Sequence, residues 1–200
     1  MKKLTLSLIT TLIVVLGVSN STYAAKLNNQ VVTVLSDIAA INKIEVHGNV
    51  LLYVSDGSAD QVKVYNQYYG ESALVQSKNG VLRISSYKAE KLVIWVTAND
   101  LRSISAYDNA EVDSFGNLTK IEFNVDLHNN STAKLNLNTY SANVTVNDNA
   151  IADLTGKANE FNLNNYTSSK VSNANFTAVD YTERKLITLD VLKDNDVMGL

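Results

Sequence analysis

The sequence predicts an all-β protein: a single-stranded β-helix, or β-solenoid, with coils of about 20 residues, preceded by short alternating strands. Three observations carry this expectation. Apolar residues alternate with polar ones through most of the chain, which is the period of a strand. Four stretches after residue 100 can be laid on one another. No convincing amphipathic helical pattern follows the N-terminal segment.

Taken in order, MKKLTLSLITTLIVVLGVSNSTYAAK has Lys2 and Lys3 ahead of an apolar run from Leu4 to Val18, then small and polar residues. That is the layout of a secretory signal peptide over residues 1–24, with cleavage after Ala24. The run is shorter than the roughly 20 residues a membrane span needs. Removing 1–24 takes two lysines and no acid, moving the formal charge from −3 to −5.

Residues 25–200 are expected to form one β-helix domain, in which 25–100 are an N-terminal strand region. Here IEVHGNVLLYV, VKVYNQ, VLRIS, LVIWVTA and LRSISA are separated by DGSAD, YYGES, KNG and AND. Gly57, Gly70 and Gly80 supply positive φ in these turns, and Asn and Asp tolerate it. SDIAAINK can form one turn, but Ile38, Ile41 and Ile44 also suit the first strand.

Residues 101–180 read as repeat coils: SISAYDNAEVDSF, FNVDLHNNSTAKLNL, VTVNDNAIADLTG and FNLNNYTSSKVSN. Each has alternating apolars, a polar knot, and a small residue two before an aliphatic. The small residues Ala110, Ala133, Ala152 and Ser169 lie 23, 19 and 17 residues apart. The knots place turn or ladder residues at Asp108, Asn109, Asn130, Asp148 and Asn149. Fifteen asparagines between 117 and 175 fit this architecture. Asn enters the left-handed region more cheaply than other side chains, and stacked amides can bond along a ladder. Residues 181–200 are expected to be a C-terminal cap, with charges at Asp190, Lys193, Asp194 and Asp196 guarding an end strand.

Composition narrows the chemistry. The chain is 46% hydrophobic and 18% charged, with 8 Gly and no Pro or Cys, enough for one domain with a core. Disulfides, thiolate metal sites and cysteine-borne lipid anchors are thereby excluded. There is no basic stripe, which disfavours nucleic acid as a partner. The sequons at Asn130 and Asn143 follow from composition, and become glycosylation sites only in a eukaryotic source.

The run INKIEVHGNVLLYVSDGSADQVKVYNQ, then NGVLRISSY, LVIWVTANDLRSISAYDNAEV and the later coils, resembles the GIN-domain family of exported bacterial auto-transporter adhesin head domains over about residues 38–180. Members usually carry Ser-Gly where this chain has Asp108-Asn109, Asn130-Ser131, Asp148-Asn149 and Thr167-Ser168. The resemblance implies a β-helix in a cell-envelope or surface setting, and brings no catalytic residues.

His47 and His128 are the only histidines and lie far apart in the chain. No G-x-S-x-G elbow frames either, so a triad is not expected. Asp108, Asp126, Asp148 and Asp153 could line one side of a coil stack and hold Ca²⁺, but the glycine-rich nonapeptide of calcium β-rolls is absent, and turn acids are the simpler reading. Trp95 reads as structural. Tyr65, Tyr68 and Tyr69 form the candidate ligand-contact cluster, the last two in a loop-like stretch before Gly70.

The expected function is an exported, non-enzymatic envelope module of periplasm, outer-membrane surface or extracellular space, binding a glycan, an envelope protein or another surface. No cofactor or metal is expected, nor a transmembrane segment after signal cleavage. The alternatives are a carbohydrate-active enzyme on the same scaffold and a structural protein that oligomerises through its end strands.

Overall fold

The computed structural model describes residues 32–35, 38, 40–65 and 74–187. The signal-peptide assignment, Tyr68 and Tyr69, and most of the expected cap (188–200) lie outside the described residues.

Among the described residues there are strands and no helix. They are β1 (Val32–Leu35), β2 (Lys43–Gly48), β3 (Val50–Asp56), β4 (Gln61–Tyr65), β5 (Leu74–Lys78), β6 (Val81–Ser86), β7 (Leu92–Ala98), β8 (Ser103–Ala106), β9 (Glu111–Ser114), β10 (Leu118–Leu127), β11 (Thr132–Val146), β12 (Ile151–Tyr166) and β13 (Lys170–Leu186). All belong to one mixed 13-stranded sheet.

Two parallel ladders organise it. In the first, β6, β2, β8, β10 and the later halves of β11, β12 and β13 lie side by side, with Ser103, Asn124, Asn143, Asn162 and Thr182 in register. In the second, β7, β3, β9 and the early halves of β11, β12 and β13 follow one another, with Glu111, Thr132, Ile151 and Lys170 in register. Antiparallel strands finish the other end: β5 pairs with β6, and β4 with β7 and β1.

Two features differ from the sequence reading. The N-terminal strands do not merely precede the repeats: β2 and β3 sit between β6–β7 on one side and β8–β9 on the other. The repeat frame also shifts. Ala133 and Ala152 are in register with Val112, so the residues equivalent to Ala110 are Ser131, Ala150 and Ser169, at intervals of 21, 19 and 19. A two-residue slip leaves every side chain on its own face, so alternation alone cannot detect it.

The core is the inward parity of both ladders. Ile44, Val46, Ile84, Ile104, Val125, Val144 and Leu163 fill the first; Leu52, Val54, Ile94, Val96, Val112, Ala133, Ala152 and Leu154 fill the second; each is 2% exposed or less. Phe123 and Phe161 are the largest buried side chains. Their burial is the main favourable term for strands with so few charges between them.

Candidate functional site

The repeated Asp-Asn-Ala lies in the turns joining the two ladders. In each, an i+3 amide donates back to the i carbonyl: Ala110 to Tyr107 (3.1 Å), Ser131 to His128 (3.1 Å), Ala150 to Asn147 (3.0 Å) and Ser169 to Tyr166 (3.0 Å). The first central residue takes positive φ at Asp108 (61°), Asn129 (59°) and Asp148 (55°). Asn109, Asn130 and Asn149 take the second central position without positive φ, so the bend in the second turn falls at Asn129 rather than at Asn130. Thr167 stays outside the left-handed region, which suits a β-branched residue.

The same side chains bond between turns. The Gly48 amide donates to Asp108 Oδ2 (3.1 Å), the Asp108 amide to Asn129 Oδ1 (3.1 Å), and the Asn129 amide to Asp148 Oδ2 (2.8 Å). Tyr87 also donates its hydroxyl to Asp108 Oδ2 (3.2 Å); although the residue is 74% exposed, local desolvation and the Asp108 charge raise its phenol above the ordinary range. The remaining acids point elsewhere. Asp126 pairs with His128 Nε2 at 2.8 Å and accepts from Asn147 Nδ2 at 3.1 Å, whereas Asp153 sits beside Lys134 on the other ladder. Among the described residues no three metal-binding side chains cluster.

The histidines, remote in sequence, come close through register. Tyr107 lies between them, its ring 4.5 Å from His47 at 3° and 4.7 Å from His128 at 8°. Both faces of the Tyr107 ring are thus covered, and one face of each imidazole.

The aromatic surface lies on the outer side of the second ladder. Leu92, Ile94 and Val96 are buried, so the odd-numbered Val93, Trp95 and Thr97 face out. The same parity in β3 turns Leu51, Tyr53 and Ser55 outward, and in β4 Gln61, Lys63 and Tyr65. Register sets Trp95 between Tyr53 and Lys63, with Val34 beside Lys63 and Val32 beside Tyr65. Tyr53 lies 5.6 Å from Trp95, and Phe115, which follows β9 on the same side of β7, lies 4.9 Å from it. The indole Nε1 donates to Ser55 Oγ (3.3 Å), which fixes the ring's orientation. Phe115 is 64% exposed, Val34 52% and Val32 42%.

Trp95 faces outward, partly buried against Tyr53 and Phe115, at the centre of an apolar face. Tyr65 belongs to the same face. Tyr53, Trp95 and Phe115 were absent from the ligand-contact candidates, although parity within LVIWVTA and VLLYVSD marks Trp95 and Tyr53 as outward-facing. An apolar face of this kind, with indole and phenol groups that keep a polar handle, is suited to contact with another surface.

The family model described as "Putative auto-transporter adhesin, head GIN domain" matches residues 40–183. No curated protein matches significantly. Among solved structures, a putative adhesin from Bacteroides fragilis is similar with a TM-score of 0.66 at 16% identity, over 80% of this chain and 79% of that one. A putative adhesin from Parabacteroides distasonis has a TM-score of 0.63 at 15% identity, with 80% of each chain covered. A putative lipid binding protein from the same species has a TM-score of 0.60 at 12% identity, over 80% of this chain and 79% of that one. At these identities the likeness is one of fold. With the family model spanning residues 40–183, the chain belongs to the GIN-domain family.

Proposed function

We propose that this protein is an exported, non-enzymatic module of the bacterial cell envelope that adheres to a surface or partner through the face centred on Trp95. The observation that carries this reading is the outward set Tyr65, Trp95, Tyr53 and Phe115, flanked by Val32 and Val34. Family membership supports an adhesive role. Export rests on the signal-peptide pattern of residues 1–24.

The scaffold is read as a β-helix. Its support is the register: successive strands of the first ladder are offset by 21, 19, 19 and 20 residues from Ser103 to Thr182. The non-enzymatic reading is supported by the acids, which are divided between turns and ladders and bonded to turn amides or to neighbouring side chains. Assembly through the later half of β13 is disfavoured by its inward side chains. There Glu183 and Lys185 stand over Leu163 and Asn165, and such charge discourages further pairing, whereas Val171, Phe176 and Ala178 leave the earlier half apolar.

A binding screen of the mature chain against envelope proteins tests the reading, with Trp95→Ala/Tyr53→Ala compared to Tyr68→Ala/Tyr69→Ala. Loss of at least about tenfold in affinity in the first double variant is expected, the range for a truncated interface anchor. Binding that survives there but is lost in the second would move the site to the tyrosine loop.

A further inference from the structure

The outer side of the first ladder carries a second, chemically different surface. Asn143 Nδ2 donates to Asn124 Oδ1 at 3.0 Å, and Asn162 Nδ2 donates to Asn143 Oδ1 at 3.0 Å. Register extends this row through Ser103 to Lys43 at one end and to Thr182 at the other. Alongside it, Asn164 Nδ2 donates to Thr145 Oγ1 at 3.3 Å. The aromatic face belongs to the other ladder, so the two surfaces share no residue.

From this amide ladder we infer a binding site for an extended, uncharged glycan chain. An amide has two N–H donors and two acceptor lone pairs. Asn143 uses one of each within the ladder, which leaves one donor and one acceptor; at about 4.8 Å on either side, Asn124 keeps one donor beyond its bond to Glu122 and Asn162 keeps its carbonyl oxygen. A hydroxyl also donates and accepts, and a linear hexose chain presents hydroxyls in pairs at a spacing of the same order.

Charge selects among polyhydroxyl ligands. Ser103, Asn124, Asn143, Asn162 and Thr182 carry no ionised group, and Lys43 at the end of the row is paired with Glu45 at 2.9 Å, so the complement of the amide run is neutral. The nearest acids, Glu122 on Asn124 Nδ2 (3.3 Å) and Asp126 beneath His128 and Asn147, would repel a polyanion. The ladder bonds also hold the amides before a ligand arrives, which reduces the ordering cost of binding. The inference rests on the reading of the protein as a non-enzymatic binder, but on a different face.

Retention of the mature chain on swollen cellulose and on insoluble β-1,3-glucan is the test, with alginate as the anionic control. The wild type should be retained on a neutral glycan and not on alginate. Asn143→Ala/Asn162→Ala should weaken retention at least tenfold, with the Tm measured in parallel. Should that variant be poorly folded, Asn162→Lys at the exposed end of the amide run should give the same loss while leaving the Asn143–Asn124 bond in place. Trp95→Ala/Tyr53→Ala should bind glycan like the wild type. No retention on either neutral glycan, equal retention by the folded ladder variants, or loss only in the Trp95 variant would each overturn the inference; failure of the partner screen alone would not.

Discussion

A left-handed backbone costs a residue with a Cβ about 1–2 kcal/mol, and Asp and Asn bear it best because their short side chains hydrogen-bond locally. At Asp108, Asn129 and Asp148 the oxygen accepts an amide from a neighbouring turn, so one residue type meets both requirements. Gly48 fills the equivalent place with φ of 80°, and there a Cβ would lie 2.1 Å from the Ser86 carbonyl oxygen. Asp148→Ala should lower stability by about 1–2 kcal/mol in urea unfolding, from strained φ plus a lost acceptor, while Asp148→Asn stays near the wild type. Equal losses in both would mean that the bond to the Asn129 amide contributes nothing. The turn was legible in the repeated Asp-Asn-Ala. Its position in the second repeat was not, because His128-Asn129-Asn130-Ser131 offers two adjacent asparagines and only the backbone path chooses between them.

Between elements, two ion pairs tie strands that are distant in sequence. Lys120 Nζ lies 2.8 Å from Asp56 Oδ1 and donates to the Asn99 carbonyl, while Asp56 Oδ2 accepts the Thr119 amide at 2.6 Å. The lysine side chain is only 9% exposed, so Asp56→Ala leaves a nearly buried cation unpaired at the start of β10. A loss of about 2–3 kcal/mol is expected, less than for a fully buried pair because Asp56 is 29% exposed; Asp56→Ala/Lys120→Met should recover part of it. On the first ladder Glu45 meets Lys43 at 2.9 Å and Arg83 at 2.7 Å. The Lys43 hydrogen bond, with Arg83 adding its charge, outweighs partial burial and holds the Glu45 carboxyl below its ordinary value of 4.5. A lowered folded-state pKa stabilises above the unfolded value, and that contribution disappears as pH falls through the folded one. The Tm difference between wild type and Glu45→Gln should therefore shrink on acidification below about 4.5; a difference independent of pH would exclude the ion pair as its source.

At the scale of the whole sheet, burial follows the alternation of the sequence: Ile44, Val46, Ile104, Val125, Val144 and Leu163 are buried as their parity requires. Side-chain period is a local property, set by the pleat, and survives any arrangement of neighbouring strands. The strand class, the turn chemistry and the family resemblance were therefore contained in the sequence itself. Pairing order is not local. That β2–β3 lies between β6–β7 and β8–β9, that Tyr107 is sandwiched by His47 and His128, and that Asn124, Asn143 and Asn162 share one row depend on which strand each ladder accepts next. The aromatic face has the same origin: parity turns Trp95 outward, but only the approach of β3, β4 and the chain after β9 gathers Tyr53, Tyr65 and Phe115 around it. The sequence by itself determined which side of each strand faces the core; tertiary structure decided which outward residues meet, because register between distant segments is chosen by the burial of both faces together.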